Sequence, residues 1–140
     1  MIRRADISDL SVVTDLALKL WPDHDRQELM EELEKILKKE DAAFFLEEDQ
    51  GFAQCQLRYD YVEGTESSPV GYLEGIFVQE CFRRIGIAKE LLAACEKWAR
   101  EQGCREFASD CELTNTQSLR FHLGLGFEEA NRIICFTKKL

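Results

Sequence analysis

An α/β fold is what this sequence predicts, and three observations predict it. Strand-like runs rich in β-branched and aromatic residues alternate along the chain with stretches whose apolar residues recur at helical spacing. The run Tyr72 to Val78 leads through the turn Arg83-Arg84-Ile85-Gly86-Ile87-Ala88 into a long helical stretch, Ala88 to Gln102. At 140 residues, with 45% hydrophobic and 32% charged content, the chain reads as one domain (residues 1–140) able to bury a real core.

The elements follow in order. Ile2 to Ala5 reads as a short strand, with Asp6 or Ser8 as a helix cap before Leu10, Val13, Leu16, Ala17 and Leu20 at helical spacing. Trp21-Pro22 stops that helix. Arg26 to Lys39 is a second amphipathic helix carrying Leu29, Leu33, Ile36 and Leu37 on one face. Ala42 to Leu46 and Phe52 to Tyr61 read as strands joined by the turn-like Glu48-Asp49-Gln50-Gly51. The polar stretch from Glu63 to Pro69 is a loop between antiparallel strands. After the strand and helix described above, Gly103 ends the helix, Arg105 to Ser109 is a strand and Asn115 to Leu123 a short helix. Phe127 to Glu129 and Arg132 to Lys138 complete the chain as strands.

Composition narrows the function classes. No apolar run approaches the roughly 20 residues of a membrane span, and Met1 to Asp6 lacks the apolar core of a signal peptide, so a cytoplasmic location is expected. The formal charge of −9 disfavours nucleic acid and anionic membrane and suits a cationic ligand. Cys55, Cys81, Cys95, Cys104, Cys111 and Cys135 form no Cys-x-x-Cys pair, and His24 and His122 are the only histidines, so no metal site is expected. Cys55, Cys95 and Cys135 lie in apolar runs and are expected to be buried, inert thiols.

The turn before the long helix carries the chemistry. Gly86 permits close backbone approach, Ala88 is small, and the helix start offers unpaired N–H groups and the positive dipole end, so the turn suits a pyrophosphate. A Walker loop would need Gly-Lys-Ser/Thr, and a dinucleotide fingerprint three glycines. The pattern Arg-x-x-Gly-x-Ala at Arg83 to Ala88 resembles the acetyl-CoA loop of the GCN5-related N-acetyltransferases (GNAT). A second stretch, Asn115-Thr116-Gln117-Ser118-Leu119-Arg120-Phe121-His122-Leu123-Gly124-Leu125-Gly126-Phe127, resembles that family's downstream cofactor segment. Ser118 there replaces a small Ala, and His122 stands where many members have a Tyr.

The resemblance implies a GNAT acyl-CoA N-acyltransferase fold, a central mixed sheet with helices on both faces. It implies that the strand before the loop splays from its neighbour and that the amides of Ile76, Phe77 and Val78 bind the thioester and pantetheine, with Gly75 as a bulge residue or a packing kink. Arg83, Arg84, Ile85, Gly86, Ile87, Ala88 and Lys89 would hold the pyrophosphate, and Asn115 and His122 would line the cofactor. Histidine suits protonation of the departing thiolate, because its ordinary pKa of about 6.5 lies nearer neutrality than that of Tyr. An isolated His on a short helix also serves as a polar packing residue.

The blocks Lys19 to Asp23, Asp60 to Thr65, Leu73 to Val78, Glu106 to Asp110 and Leu125 to Glu129 resemble one branch, the aminoglycoside 6′-N-acetyltransferases. That resemblance implies transfer of acetyl from acetyl-CoA to the 6′-amine of a cationic aminoglycoside. Trp21, Tyr61, Glu74 and Asp110 would line the antibiotic site, with Glu74 nearest the reacting amine and Glu112 adding negative field. Asn131 stands where related enzymes often carry an acid. A carboxylate is a poor base for an ammonium, so Glu74 would act through a water or by positioning the amine. A homodimer is also expected, with Ile133-Ile134-Cys135-Phe136 able to pair across an interface or within one subunit. The same fold could instead acetylate a protein N-terminus, a lysine or another small amine, or serve as a non-catalytic binding module.

Overall fold

The computed structural model describes all 140 residues. Its elements run β1 (Arg3–Arg4), a short 3-10 turn (Ile7–Asp9), α1 (Leu10–Leu20), α2 (Arg26–Leu37), β2 (Ala42–Glu47), β3 (Gly51–Arg58), β4 (Val70–Val78), a second 3-10 turn (Glu80–Phe82), α3 (Ile87–Glu101), β5 (Phe107–Ala108) and α4 (Thr116–Gly124). The sheet follows chain order, β1-β2-β3-β4-β5, antiparallel up to β4 and parallel between β4 and β5. The α/β class and the mixed sheet flanked by helices are therefore those the sequence predicts.

The sheet is buried on both faces, which explains why its strands read as continuous apolar runs. Phe44, Leu46 and Phe52 pack with Val13, Leu16 and Ala17 of α1 and Leu29 and Leu33 of α2. On the opposite face Ala43, Phe45, Ala53, Cys55 and Leu73 pack with Leu91, Leu92, Cys95, Trp98 and Ala99 of α3. Strand alternation thus sends neighbouring residues to two separate cores. Asp6 and Asp9 form a reciprocal capping box at the chain's first turn, and Asp25 caps α2 by accepting from the Glu28 amide at 3.1 Å.

Two expectations fail. Phe127 to Glu129 and Arg132 to Lys138 form no strands, and residues 128–140 are exposed throughout. An extended segment becomes a strand only by pairing, and no strand of this chain lies beside it. Cys135 is consequently exposed, not buried, as are Cys81 and Cys111. Cys55 and Cys95 are buried as expected. The Cys55 thiol and burial both push the Cys95 thiol well above its ordinary range, which keeps it protonated and unreactive. The fifth strand is also shorter than Arg105 to Ser109, being confined to Phe107–Ala108.

Candidate active site

β4 builds the site by breaking its own regularity. Gln54 pairs with Gly75 and Cys55 with Leu73, so Glu74 has no cross-strand partner. This is a bulge, and it turns Glu74 and Gly75 toward the α1–α2 face together. The unpaired residue is Glu74, one position before the glycine expected to mark the bulge. Gly75 instead makes room for a neighbour. A Cβ there would lie 2.7 Å from the Trp21 indole, so only glycine lets that ring lie against the strand.

Trp21 and Glu74 line a hollow of about 260 Å³ with His24, Glu32 and Gln54. Trp21 is seated by the wholly buried Phe52, edge-on at 6.3 Å between centroids. A larger open depression of about 590 Å³, beside Lys39, Asp41 and Tyr59, contains none of the expected site residues.

Glu74 is held by Arg58, whose Nη2 donates to both carboxylate oxygens at 2.6 and 3.0 Å and whose Nε donates at 3.2 Å. The same guanidinium lies flat over the Tyr72 ring, 3.4 Å from its centroid, and the Tyr72 hydroxyl donates to Asp110. Burial first, and then the Asp110 carboxylate, push the Tyr72 phenol far above its ordinary range, so it stays protonated as a donor. Glu74 and Asp110, far apart in sequence, are thereby tied into one network. Tyr61 and Glu112 are not brought into it: Tyr61 is exposed, with its hydroxyl accepting from the Gly64 amide at 3.3 Å, and Glu112 lies exposed between β5 and α4.

On its other edge β4 meets β5 only at Gly71 and Tyr72. Beyond Leu73, whose carbonyl lies 3.3 Å from the Ser109 hydroxyl, β4 runs on to Val78 without a strand partner on this edge, and an extended ligand can lie in the opening. The strand then reaches the turn before α3. Arg84 and Gly86 both adopt left-handed backbone, with φ of 68° and 91°. A Cβ at Gly86 would meet nothing, and no side chain caps the α3 N-terminus, so the amides of its first turn are free. Ile85 and Lys89 are exposed there, while Ile87 is buried as an anchor. Arg83 instead folds back, donating from Nε to the Val78 carbonyl at 2.7 Å and stacking over Phe77. Ile76 and Phe77 point to opposite cores.

At the end of the opening stands His122. Its Nδ1 lies 2.7 Å from the Ser118 carbonyl, which can only accept, so the ring proton sits on Nδ1. Its Nε2 then accepts from the Ser109 hydroxyl at 2.8 Å. Asn115 uses its side chain to cap α4, accepting from the Ser118 amide at 3.0 Å. Sequence reasoning did not single out Arg58, Tyr72, Ser109, His24, Glu32 or Gln54. Arg58, Tyr72 and Ser109 carry no motif, and each acquires its partner from another segment of the chain.

A model of the acetyltransferase (GNAT) family matches residues 10–127. The chain is 44% identical to an aminoglycoside N(6′)-acetyltransferase type 1 of Stenotrophomonas maltophilia, over 99% of this chain and 93% of that protein. It is 42% identical to the enzyme of the same description from Salmonella typhimurium, over 99% and 98%. Among solved structures, AAC(6′)-Iy in complex with the bisubstrate analogue CoA-S-monomethyl-acetylneamine superposes with a TM-score of 0.95 at 42% identity, covering 100% of this chain and 98% of that one. The aminoglycoside 6′-N-acetyltransferase AAC(6′)-Ih of Acinetobacter baumannii does so at 0.94 and 36%, with the same coverage. With an uncapped helix after a left-handed glycine, a parted central strand and a family match over most of its length, the chain belongs to the GNAT acetyltransferase family.

Proposed function

We propose that this protein is an aminoglycoside 6′-N-acetyltransferase that uses acetyl-CoA and acts by direct transfer, conferring resistance to the antibiotic. The observation that carries the reading is Glu74, turned by a bulge into a hollow beside Trp21 and next to the parted stretch of β4. Relatives of this description, similar over nearly the whole chain, support it.

Acetyl-CoA supplies the activated acetyl group. The free amides at the start of α3 and the turn from Arg83 to Lys89 suit its pyrophosphate, and the amides of Ile76, Phe77 and Val78 suit its pantetheine and thioester carbonyl. Glu74 receives the 6′-amine, directly or through a water, and orients it toward that carbonyl. Trp21 offers an aromatic face to a sugar ring in the hollow, while Tyr61, Asp110 and Glu112 lie outside it, where they can stack on or attract only those parts of the acceptor that reach beyond. Asn115 shapes the α4 end of the cofactor opening. His122 Nε2, an acceptor in the resting state, first takes up the proton shed by the acceptor amine and then returns it to the departing CoA thiolate through the Ser109 hydroxyl. The buried thiols take no part.

The turn can be tested apart from the chemistry. Gly86→Ala is expected to weaken acetyl-CoA binding about tenfold in calorimetry, because a side chain at this φ costs about 1–2 kcal/mol. The melting temperature should also fall by a few degrees, because the strain is borne by the folded protein even though the new methyl meets no neighbour.

No helix is long and apolar enough to cross a membrane. We assign the protein to the cytoplasm, a reading that its six unpaired cysteines support. We also assign it to a homodimer in which a second copy covers the C-terminal segment, supported by the exposed Ile133, Ile134 and Phe136. Ile134→Asp should convert the dimer to a monomer in light scattering, and a dimer of unchanged stability would refute that assignment.

The deciding experiment is CoA release from acetyl-CoA with kanamycin or tobramycin, beside an analogue bearing a 6′-hydroxyl and a histone-tail peptide. Turnover confined to the 6′-amino sugars supports the reading. Turnover with the peptide alone would move the protein to protein acetylation, and silence on every amine would leave a binding module.

A further inference from the structure

Arg58 closes β3, where a charged residue reads as a solvated strand end, yet its side chain turns inward across β4. Its guanidinium forks onto Glu74 at 2.6, 3.0 and 3.2 Å and lies on the Tyr72 ring. In a chain of net charge −9, a cation is thus placed on the carboxylate that receives the acceptor amine. A site built only to bind a polycation would leave that carboxylate free.

A nucleophilic amine must be neutral, and an unpaired carboxylate within about 4–6 Å favours the ammonium instead. A bare Glu74 would bind the acceptor well and hold it in the unreactive form. We propose that Arg58 is a positioning residue for Glu74 that offsets its charge at the reaction centre, so that the acceptor amine is held there neutral and reactive. The inference rests on the acetyltransferase reading above.

The surroundings fit this role. The charged and titratable groups facing the pair are Tyr72 and Asp110 on the β4–β5 side, and His24 and Glu32 on the α1–α2 side. The Tyr72 phenol stays protonated and brings no charge, and Asp110 already accepts from it. Glu32, on α2, lines the hollow's opposite wall and remains free to attract the rest of a cationic acceptor. Attraction and reaction are thereby assigned to different carboxylates. A cation beside a reacting amine is a known means of favouring its neutral form. The stack on Tyr72 also leaves the guanidinium one orientation, so the fork fixes the Glu74 rotamer.

The test is steady-state kinetics of Arg58→Met and Arg58→Lys with acetyl-CoA and a 6′-amino acceptor across neutral to alkaline pH. For Arg58→Met, we expect the acceptor KM to fall several-fold while kcat falls about tenfold or more. The rise of kcat with pH should move about one unit to the alkaline side, and added methylguanidine should restore part of the rate. Arg58→Lys keeps the charge and should keep the pH profile, with kcat between the other two. The acetyl-CoA KM should not change. An unaltered pH profile in Arg58→Met, or a raised acceptor KM at unchanged kcat, would overturn the proposal. If Arg58→Met does not fold, an alkaline displacement in Arg58→Lys overturns it and a retained profile supports it. Inactivity of the unmodified enzyme on every amine would overturn the acetyltransferase reading, and this inference with it.

Discussion

Glu74→Gln is expected to lower kcat by about 10²-fold or more, because the acceptor amine loses the carboxylate that orients it, directly or through a water, toward the thioester. Acetyl-CoA binding should be intact, because Glu74 points to the α1–α2 face while the turn before α3 lies at the far end of β4. Glutamine keeps the shape of the side chain and removes its charge. The Arg58 fork then loses its ionic partner, so the variant also frees a guanidinium in the hollow. Stopped assays of CoA release, with calorimetry of acetyl-CoA binding, separate the two quantities. An unchanged kcat would remove Glu74 from the reaction centre.

Phe52→Ala is expected to cost about 3–5 kcal/mol of stability, a large-to-small change at a wholly buried site. The melting temperature should fall by about 10 °C or more in a chain of this size. Phe52 backs one wall of the hollow through its edge contact with Trp21, so the loss is not purely structural. With that support gone, the indole can drift from its place against Gly75, and the acceptor KM should rise in whatever fraction remains folded. Thermal unfolding followed by kinetics below the new transition tests both parts. A stability loss without any change in acceptor KM would mean that Trp21 keeps its place against Gly75 and His24 without Phe52.

Several elements were legible because the information is local. The α1 stop at Trp21-Pro22, the start of α2 near Asp25, the hairpin turn around Asp49 and the glycine before α3 all arise from residues adjacent in sequence. Boundaries moved by a residue or two, as frayed ends do. The missing C-terminal strands are a different kind of miss. Arg132 to Lys138 has a strand's composition, but composition does not provide a partner, and the sheet ends at a β5 of two residues.

The site divides in the same way. The turn from Arg83 to Ala88 is a contiguous motif whose place before α3 could be read from spacing, whereas the Asn115 cap of α4, although local, emerges only from the structure. Tyr61 shows the opposite case: its block was recognisable, yet its side chain lies exposed, away from the hollow that Trp21 and Glu74 share. The Ser109–His122 bond and the Tyr72–Asp110 bond join residues brought together only by the parallel placing of β5.

By itself the sequence determined the fold class, the order of elements as far as α4, the glycine turn before α3 and the family resemblance, because periodicity and short motifs are carried by neighbouring residues. Only the tertiary structure decided that Glu74 is the unpaired residue of the bulge, that Arg58 is its partner, and that Gly75 makes room for Trp21. Those facts depend on cross-strand register, and a register shift of one residue reverses which way every side chain points.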